Sequence, residues 1–93
     1  MIEARDFFNG KVKTLICDVK GEPFRVGVLL PGNYTFGTNC AEEIEIIQGQ
    51  IEVALPDGKV KMYQKGESFS VEAERDYNLF IEKYPAAYLC KFK

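Results

Sequence analysis

The amino-acid sequence predicts a single all-β domain, folded as a short barrel or jelly roll of antiparallel strands. Short runs rich in β-branched and aromatic residues alternate with turns that contain Gly or Pro, a pattern typical of sandwiches and barrels. No stretch long enough for a helix keeps an apolar period of about 3.6 residues. The 93 residues suffice for one hydrophobic core, so we expect one domain covering residues 1–93.

The predicted elements follow one another at regular spacing. Residues 2–8 are the one segment where a helical turn is expected. Roughly eight to ten strands follow from the apolar runs, which occupy residues 12–19, 24–30, 33–38, 42–48, 51–55, 59–63, 68–71, 77–82 and 87–92. Turn residues separate these runs, among them Pro31-Gly32, Gly49-Gln50, Pro56-Asp57-Gly58 and Gly66-Glu67. Closure into a barrel or double sheet would remove the exposed edges of so many short strands.

Several runs are apolar on both faces. If Glu42, Ile44 and Ile46 face the interior, Ile47 faces outward, and Val28 and Leu29 likewise lie on opposite faces. An outer apolar patch of this kind indicates a homodimer, and a second layer of the same sandwich explains it equally well.

Composition and charge exclude several classes of protein. The chain carries 14 acidic and 12 basic residues, mixed along its length, for a net charge of -2. This balance offers no basic stripe to a polynucleotide. No run is long enough to span a membrane, and Glu3 and Asp6 stand where a signal peptide would be basic or apolar. We therefore expect a cytoplasmic protein that binds neither polynucleotide nor membrane.

The cysteines do not indicate a disulfide framework or a metal site. Cys17, Cys40 and Cys90 are odd in number, far apart and without a C-x-x-C pair, so we expect three free thiols. The chain has no His, which leaves Cys40 without the usual base of a catalytic thiol.

Two segments resemble the conserved motifs of cupins. Gly32 is followed by a strand, Glu42, six residues and Gly49, which is the shape of the first motif, and residues 66–71 resemble the start of the second. The histidines that cupins place just before that Glu are absent. The resemblance implies a single cupin (RmlC-like) jelly-roll barrel of antiparallel strands that lacks the ligands for a metal.

A closer resemblance extends over nearly the whole chain. The matching segments are Phe8-x-Gly10-Lys11-Val12-Lys13, Val26-Gly27-Val28, Pro31-Gly32-x-Tyr34-Thr35-Phe36-Gly37-Thr38, Glu42-x-Ile44, Gly49, Gly66-Glu67-Ser68-Phe69 and Tyr88-Leu89-Cys90-x-Phe92. Together they resemble the small cupin-type pyrimidine/purine nucleoside phosphorylases. This implies phosphorolysis of purine and pyrimidine nucleosides to free base and pentose 1-phosphate, with broad base specificity, no cofactor and inorganic phosphate as co-substrate. A charged turn at residues 72–76 replaces the family's usual Pro-Ala or Pro-Gly.

Glu42 is the candidate catalytic residue. Its spacing from Gly49 matches the inward-facing carboxylate of the family, and a carboxylate can hold ribose hydroxyls or stabilise an oxocarbenium-like centre. The alternative is a buried structural Glu bonded to hydroxyls of the barrel wall.

The candidate substrate-binding residues are Tyr34, Phe36, Thr38, Asn78 and Tyr88. The first three alternate onto one face of a strand, and aromatic rings there can stack on a base without reading its edge. Core packing is the alternative for Phe36. Tyr88 is favoured because a phenol seeks a polar partner, and Asn78 is expected at the barrel mouth or as a satisfied residue at a strand end.

No residue is assigned to phosphate from the sequence. Only Arg5, Arg25 and Arg75 offer a guanidinium, and we expect Arg25 and Arg75 to be solvated surface residues. A non-catalytic module that binds a nucleoside or sugar is the alternative function. A sugar isomerase or epimerase is a further one, disfavoured because it needs a base such as His.

Overall fold

The computed structural model describes all 93 residues and contains ten strands and no helix. The strands are β1 (Glu3–Phe7), β2 (Val12–Val19), β3 (Glu22–Leu29), β4 (Gly32–Gly37), β5 (Glu42–Gln48), β6 (Gln50–Ala54), β7 (Val60–Gln64), β8 (Ser68–Val71), β9 (Asp76–Ile81) and β10 (Ala86–Phe92). The all-β prediction is confirmed, and without helices no segment is a candidate for a helical membrane span.

Two antiparallel sheets face each other. One has six strands in the order β1-β2-β3-β10-β5-β8, and the other has four in the order β4-β9-β6-β7. The strand ladder does not run continuously around the molecule, so the closure is that of a double-sheet jelly roll. This confirms the jelly-roll prediction and places β3, β10 and β5 side by side, although β10 is the last strand and the other two lie in the first half and the middle of the chain.

The prediction of a helical turn at residues 2–8 is wrong. This segment contains strand β1, which pairs antiparallel with β2 from Glu3↔Ile16 to Phe7↔Val12. Its residues are all exposed, so local hydrophobic pattern says little about its conformation, and pairing with β2 decides it. Strand β1 is one of the two edge strands of the larger sheet.

Alternation along each strand builds the core. In β5, Glu42, Ile44 and Ile46 are buried while the residues between them are only partly covered, as the sequence predicts. Sixteen buried residues form one apolar cluster between the sheets. The three cysteines are free, as predicted.

The outer face of the larger sheet carries an apolar row. Leu15 pairs with Val26, and Val26 pairs with Leu89. Leu15 and Val28 are about half exposed, although apolar surface of this kind is ordinarily covered when it is contiguous. The homodimer stays a prediction for which this face is the candidate surface.

Candidate functional site

A polar cluster lies on the inner face of the larger sheet, where β3, β10 and β5 are neighbours. Arg25 of β3 pairs in register with Cys90 of β10, and Glu42 of β5 lies beside them. Arg25 Nη2 donates to Glu42 Oε1 at 3.3 Å and lies 3.7 Å from Cys90 Sγ. Cys90 Sγ in turn lies 3.4 Å from Glu42 Oε1. The three groups form a closed triangle of polar contacts inside a largely apolar sandwich.

The buried position of Arg25 corrects the expectation that it is a solvated surface residue. Strand β3 alternates so that Leu29, Gly27 and Arg25 share the inner face. The Arg25 side chain is 18% exposed and that of Glu42 is 4% exposed. The signal was available in the sequence, since counting back in steps of two from the buried Leu29 reaches Arg25.

Aromatic rings surround the guanidinium of Arg25. The guanidinium carbon lies 5.8 Å from the centroid of the Tyr88 ring and 5.3 Å from that of Phe92, within the range of cation–π attraction. The Tyr88 ring lies over Gly27, its partner in β3, where a Cβ atom would be 2.6 Å from Tyr88 Cζ. Glycine at this position therefore lets Tyr88 lie flat beside the polar cluster.

The opposite sheet contributes a second aromatic wall. Tyr77 of β9 is buried, and its ring stacks on Phe36 of β4 at 5.9 Å and meets Phe69 of β8 edge-on at 6.1 Å. Phe36 in turn contacts Phe8, which follows β1, at 5.6 Å. The aromatic contacts thus run from the Phe8 turn through Phe36 and Tyr77 to Phe69.

The charges of the cluster follow from burial and proximity. Burial by itself lowers the pKa of Arg25, but the acidic groups of Tyr88, Cys90 and Glu42 raise it, and the net pKa is above the ordinary value. Burial raises the pKa of Tyr88, against the opposing effect of Arg25, and burial also raises that of Tyr77. At neutral pH the guanidinium is therefore charged and both phenols keep their protons, so each can donate a hydrogen bond.

Cys90 is a neutral thiol at physiological pH. Burial, followed by the nearby charge of Glu42, raises its pKa to about 12. A thiol that keeps its proton at neutral pH is a weak nucleophile. Its contact is that of an S–H donor to the Glu42 carboxylate, which helps to hold the carboxylate in place.

The raised pKa of Cys90 predicts a loss of stability in alkali. Above about pH 9 the unfolded chain releases the thiol proton and the folded chain keeps it until about pH 12, so the free energy of unfolding falls as the pH rises. The contribution is at most about 1.4 kcal/mol per pH unit. Urea titrations between pH 8 and pH 11 should show a shallower decline for Cys90→Ala than for Cys17→Ala, in which the buried thiol is intact. Equal slopes for the two variants would contradict this assignment.

The structure brings some of the predicted site residues together. Glu42 belongs to the polar cluster and Tyr88 lies beside it, and partly buried Phe36 stacks on Tyr77, whose pKa is raised by burial and then by the charge of Glu42. Tyr34 packs on Phe8 at 4.9 Å, and its hydroxyl donates to the carbonyl oxygen of Leu30 at 2.7 Å. Burial raises the pKa of Tyr34. The Tyr34 hydroxyl therefore already has a hydrogen-bond partner in the protein, and it forms no hydrogen bond with Arg25 or Glu42.

Thr38 and Asn78 form their hydrogen bonds outside the polar cluster. Thr38 Oγ1 donates to the carbonyl oxygen of Glu72 at 2.6 Å and accepts from the Arg75 amide at 3.1 Å, so it holds the charged turn at residues 72–76. Asn78 does not point into the barrel mouth. Alternation in β9 buries Tyr77 and Leu79 and turns Asn78 to the outer face, where it donates to Asn33 Oδ1 at 2.5 Å and Thr35 Oγ1 at 3.1 Å.

A pocket of about 280 Å³ lies beside this charged turn. Its lining includes Asp57, Glu72 and Arg75 together with Val71. Val71 is the partner of Glu42 in the β5–β8 ladder, so the pocket adjoins the end of the sandwich that holds the carboxylate. Neither Arg25 nor Glu42 lines it.

Two antiparallel sheets of this topology form a jelly roll of the cupin type. The backbone is similar to that of an RmlC-like cupin from Shewanella frigidimarina, with a TM-score of 0.78, 17% identity, and coverage of 98% of this chain and 82% of that one. At this identity the likeness shows the fold alone.

The chain belongs to the pyrimidine/purine nucleoside phosphorylase family, whose model matches residues 2–92. A Vibrio vulnificus protein called pyrimidine/purine nucleoside phosphorylase is 39% identical over 93 residues, with 99% of each chain covered. A crystal structure of a Vibrio parahaemolyticus protein, described as of unknown function, has a TM-score of 0.94 and 35% identity, covering 100% of this chain and 99% of that one. The resemblance inferred from the motifs is confirmed at the level of the family.

Proposed function

We propose that this chain cleaves purine and pyrimidine nucleosides with inorganic phosphate, releasing the free base and pentose 1-phosphate, with broad base specificity. The observation that carries the proposal is the Arg25–Glu42 pair inside the aromatic-walled sandwich. One cation for an anionic substrate and one carboxylate for a cationic transition state stand 3.3 Å apart. Family membership, with relatives that bear the name of this activity, supports the same reaction.

The reaction needs separate stabilisation of two charges. An oxygen of phosphate forms a bond to C1′ as the C1′–N bond breaks, and the electron pair of that bond leaves with the base. The leaving nitrogen takes up the proton that the phosphate hydroxyl loses. Positive charge develops on the sugar in between, and preorganised charges act strongly on it in a site shielded from water.

The residues of the cluster divide these tasks. Arg25 attracts and orients the phosphate, since a guanidinium matches the geometry of an oxyanion. Glu42 faces the sugar, where its carboxylate holds ribose hydroxyls and stabilises the oxocarbenium-like centre. Tyr88, protonated at neutral pH because burial raises its pKa, donates a hydrogen bond within the same space.

Aromatic walls favour a broad base specificity. Tyr77 and Phe36 offer ring surfaces, and stacking on a ring does not distinguish one base from another by its hydrogen-bonding edge. No metal or organic cofactor is part of the proposed mechanism, and phosphate is the co-substrate.

The direct test is chromatographic. Purified protein is incubated with uridine, inosine or adenosine, with and without phosphate, and free base and pentose 1-phosphate are quantified. Release of base from several nucleosides that requires phosphate and is indifferent to a chelator is the expected result. Binding of a nucleoside in a thermal-shift assay without any release of base would refute the proposal and identify a binding module instead.

A further inference from the structure

We propose that the N-terminal edge strand completes a phosphate subsite, in which Arg5, Thr14 and Arg25 hold the phosphate of the reaction together. The inference rests on the proposed function and assigns the residues that contact the anion. The geometry that carries it is on the inner face of the larger sheet, where two unfilled hydrogen-bond donors, Thr14 Oγ1 and Arg25 Nε, belong to diagonal neighbours and Arg5 is paired with Thr14.

Thr14 is the central residue of this group. It is 3% exposed, and its Oγ1 atom is buried with no hydrogen-bond partner in the protein. A buried hydroxyl without a partner costs free energy, because it loses its bonds to water and gains none. In β-strands a Val would fill the same space without this cost, so the hydroxyl is explained by a ligand that bonds to it.

Arg25 has a second unfilled donor. Both partners of its guanidinium, Glu42 and Cys90, are contacted by Nη2, whereas Nε is buried without a partner. Thr14 pairs with Gly27 and Ile16 pairs with Arg25, so Thr14 and Arg25 are diagonal neighbours on the inner face, a separation that a long side chain spans.

Arg5 stands on the other side of Thr14. The two residues are directly paired in the β1–β2 ladder, and side chains of directly paired residues project to the same face of a sheet. The only partner of the Arg5 side chain is Glu3, two residues away. Arg5 is about half exposed, with 54% of its side chain accessible, and it can turn to a ligand at little cost because exposed ion pairs are weak.

The chemistry of this group selects a tetrahedral oxyanion. Two guanidinium groups and a hydroxyl present donors and positive charge. Of the two carboxylates nearby, that of Glu42 is on the Nη2 side of Arg25, and that of Glu3 forms the exposed pair with Arg5 that the anion would replace. The Tyr88 hydroxyl ends over Gly27, in the same row as Thr14, and faces the sugar side of the anion. Phosphate is thereby held on one side of Arg25 and the sugar contacts Glu42 on the other.

The test is a titration of the full chain with inorganic phosphate alone, in which binding is measured by calorimetry or 31P NMR. The unmodified chain is compared with Thr14→Val, with Arg5→Gln and with the control variant Arg75→Gln. Thr14→Val should weaken phosphate binding about five- to tenfold while its melting temperature stays equal or rises, because the unpartnered hydroxyl is gone. Arg5→Gln should weaken binding about tenfold. Arg75→Gln removes an exposed guanidinium at the charged turn and should change binding by less than about twofold.

The outcomes separate this inference from the proposed function. Wild-type phosphate affinity in both Thr14→Val and Arg5→Gln would overturn the subsite, as would a lack of phosphate binding by the unmodified chain. Nucleoside cleavage with an unchanged KM for phosphate in both variants would overturn the subsite and leave the phosphorylase proposal standing. Weakened phosphate binding in both variants of a chain that cleaves no nucleoside would support the subsite and refute the phosphorylase proposal.

Discussion

Replacement of Glu42 by Gln is expected to lower kcat for nucleoside phosphorolysis at least about 100-fold, since it removes the one negative charge that faces the developing cation on the sugar. Gln keeps the size of the side chain and an oxygen that can accept from Arg25 Nη2 and Cys90 Sγ, the two groups that contact Oε1 in the structure. Loss of one charge of the buried pair should lower the free energy of unfolding, but these hydrogen bonds should preserve the fold, which circular dichroism and a melting curve verify.

Glu43→Gln is the matched control for this experiment. Glu43 is the next residue of β5, is only partly buried, and lies 3.7 Å from the exposed Lys93 ammonium. Loss of the same charge there should leave kcat within about twofold. A folded Glu42→Gln chain with unchanged kcat would remove the carboxylate from the mechanism and leave Glu42 a structural residue.

Removal of the positive charge at Arg25 is expected to have the largest effect on stability. In Arg25→Met the Glu42 carboxylate, 4% exposed, loses its charged partner, and breaking a buried pair in this way costs about 3–5 kcal/mol of the free energy of unfolding. Phosphorolysis should be lost as well, because the cation that attracts phosphate is gone. Urea denaturation and the chromatographic assay measure the two effects.

A double variant distinguishes the cause of that destabilisation. Arg25→Met combined with Glu42→Gln removes both charges, so most of the lost free energy should return while activity stays absent. Arg25→Lys keeps the charge and should be more stable than Arg25→Met but poor in phosphate binding, since an ammonium lacks the planar fork. A loss of less than about 1 kcal/mol in Arg25→Met would show that the pair behaves as a solvated surface ion pair.

The activity and stability effects have the same structural origin. Glu42 and Arg25 compensate each other's burial in the resting protein, and in the proposed reaction each meets a charge of its own on the substrate. A site of this kind holds opposite charges in a shielded space before the substrate arrives, which avoids the cost of reorganising water during the reaction. The protonated Tyr88 and Cys90 add hydrogen-bond donors without adding charge.

The sequence alone determined the class of fold, because strand alternation and turn chemistry are local properties. Gly and Pro mark the ends of the strands, and the period of two in β5 placed Glu42 inward with Ile44 and Ile46. The alternation of β3 also predicts that Arg25 points inward. Its charge led instead to the prediction that it is a surface residue. The edge strand β1 was missed because it has no buried face that would impose a period.

Only the tertiary structure decided which inward side chains meet. Arg25 and Glu42 are 17 residues apart, and 48 residues separate Glu42 from Cys90; these residues become neighbours because β10 inserts between β3 and β5. The same strand order leaves Thr14 Oγ1 without a partner beside Arg25. Alternation says which face a residue occupies, whereas the choice of neighbouring strands depends on how the whole chain buries its apolar surface, and no local pattern encodes it.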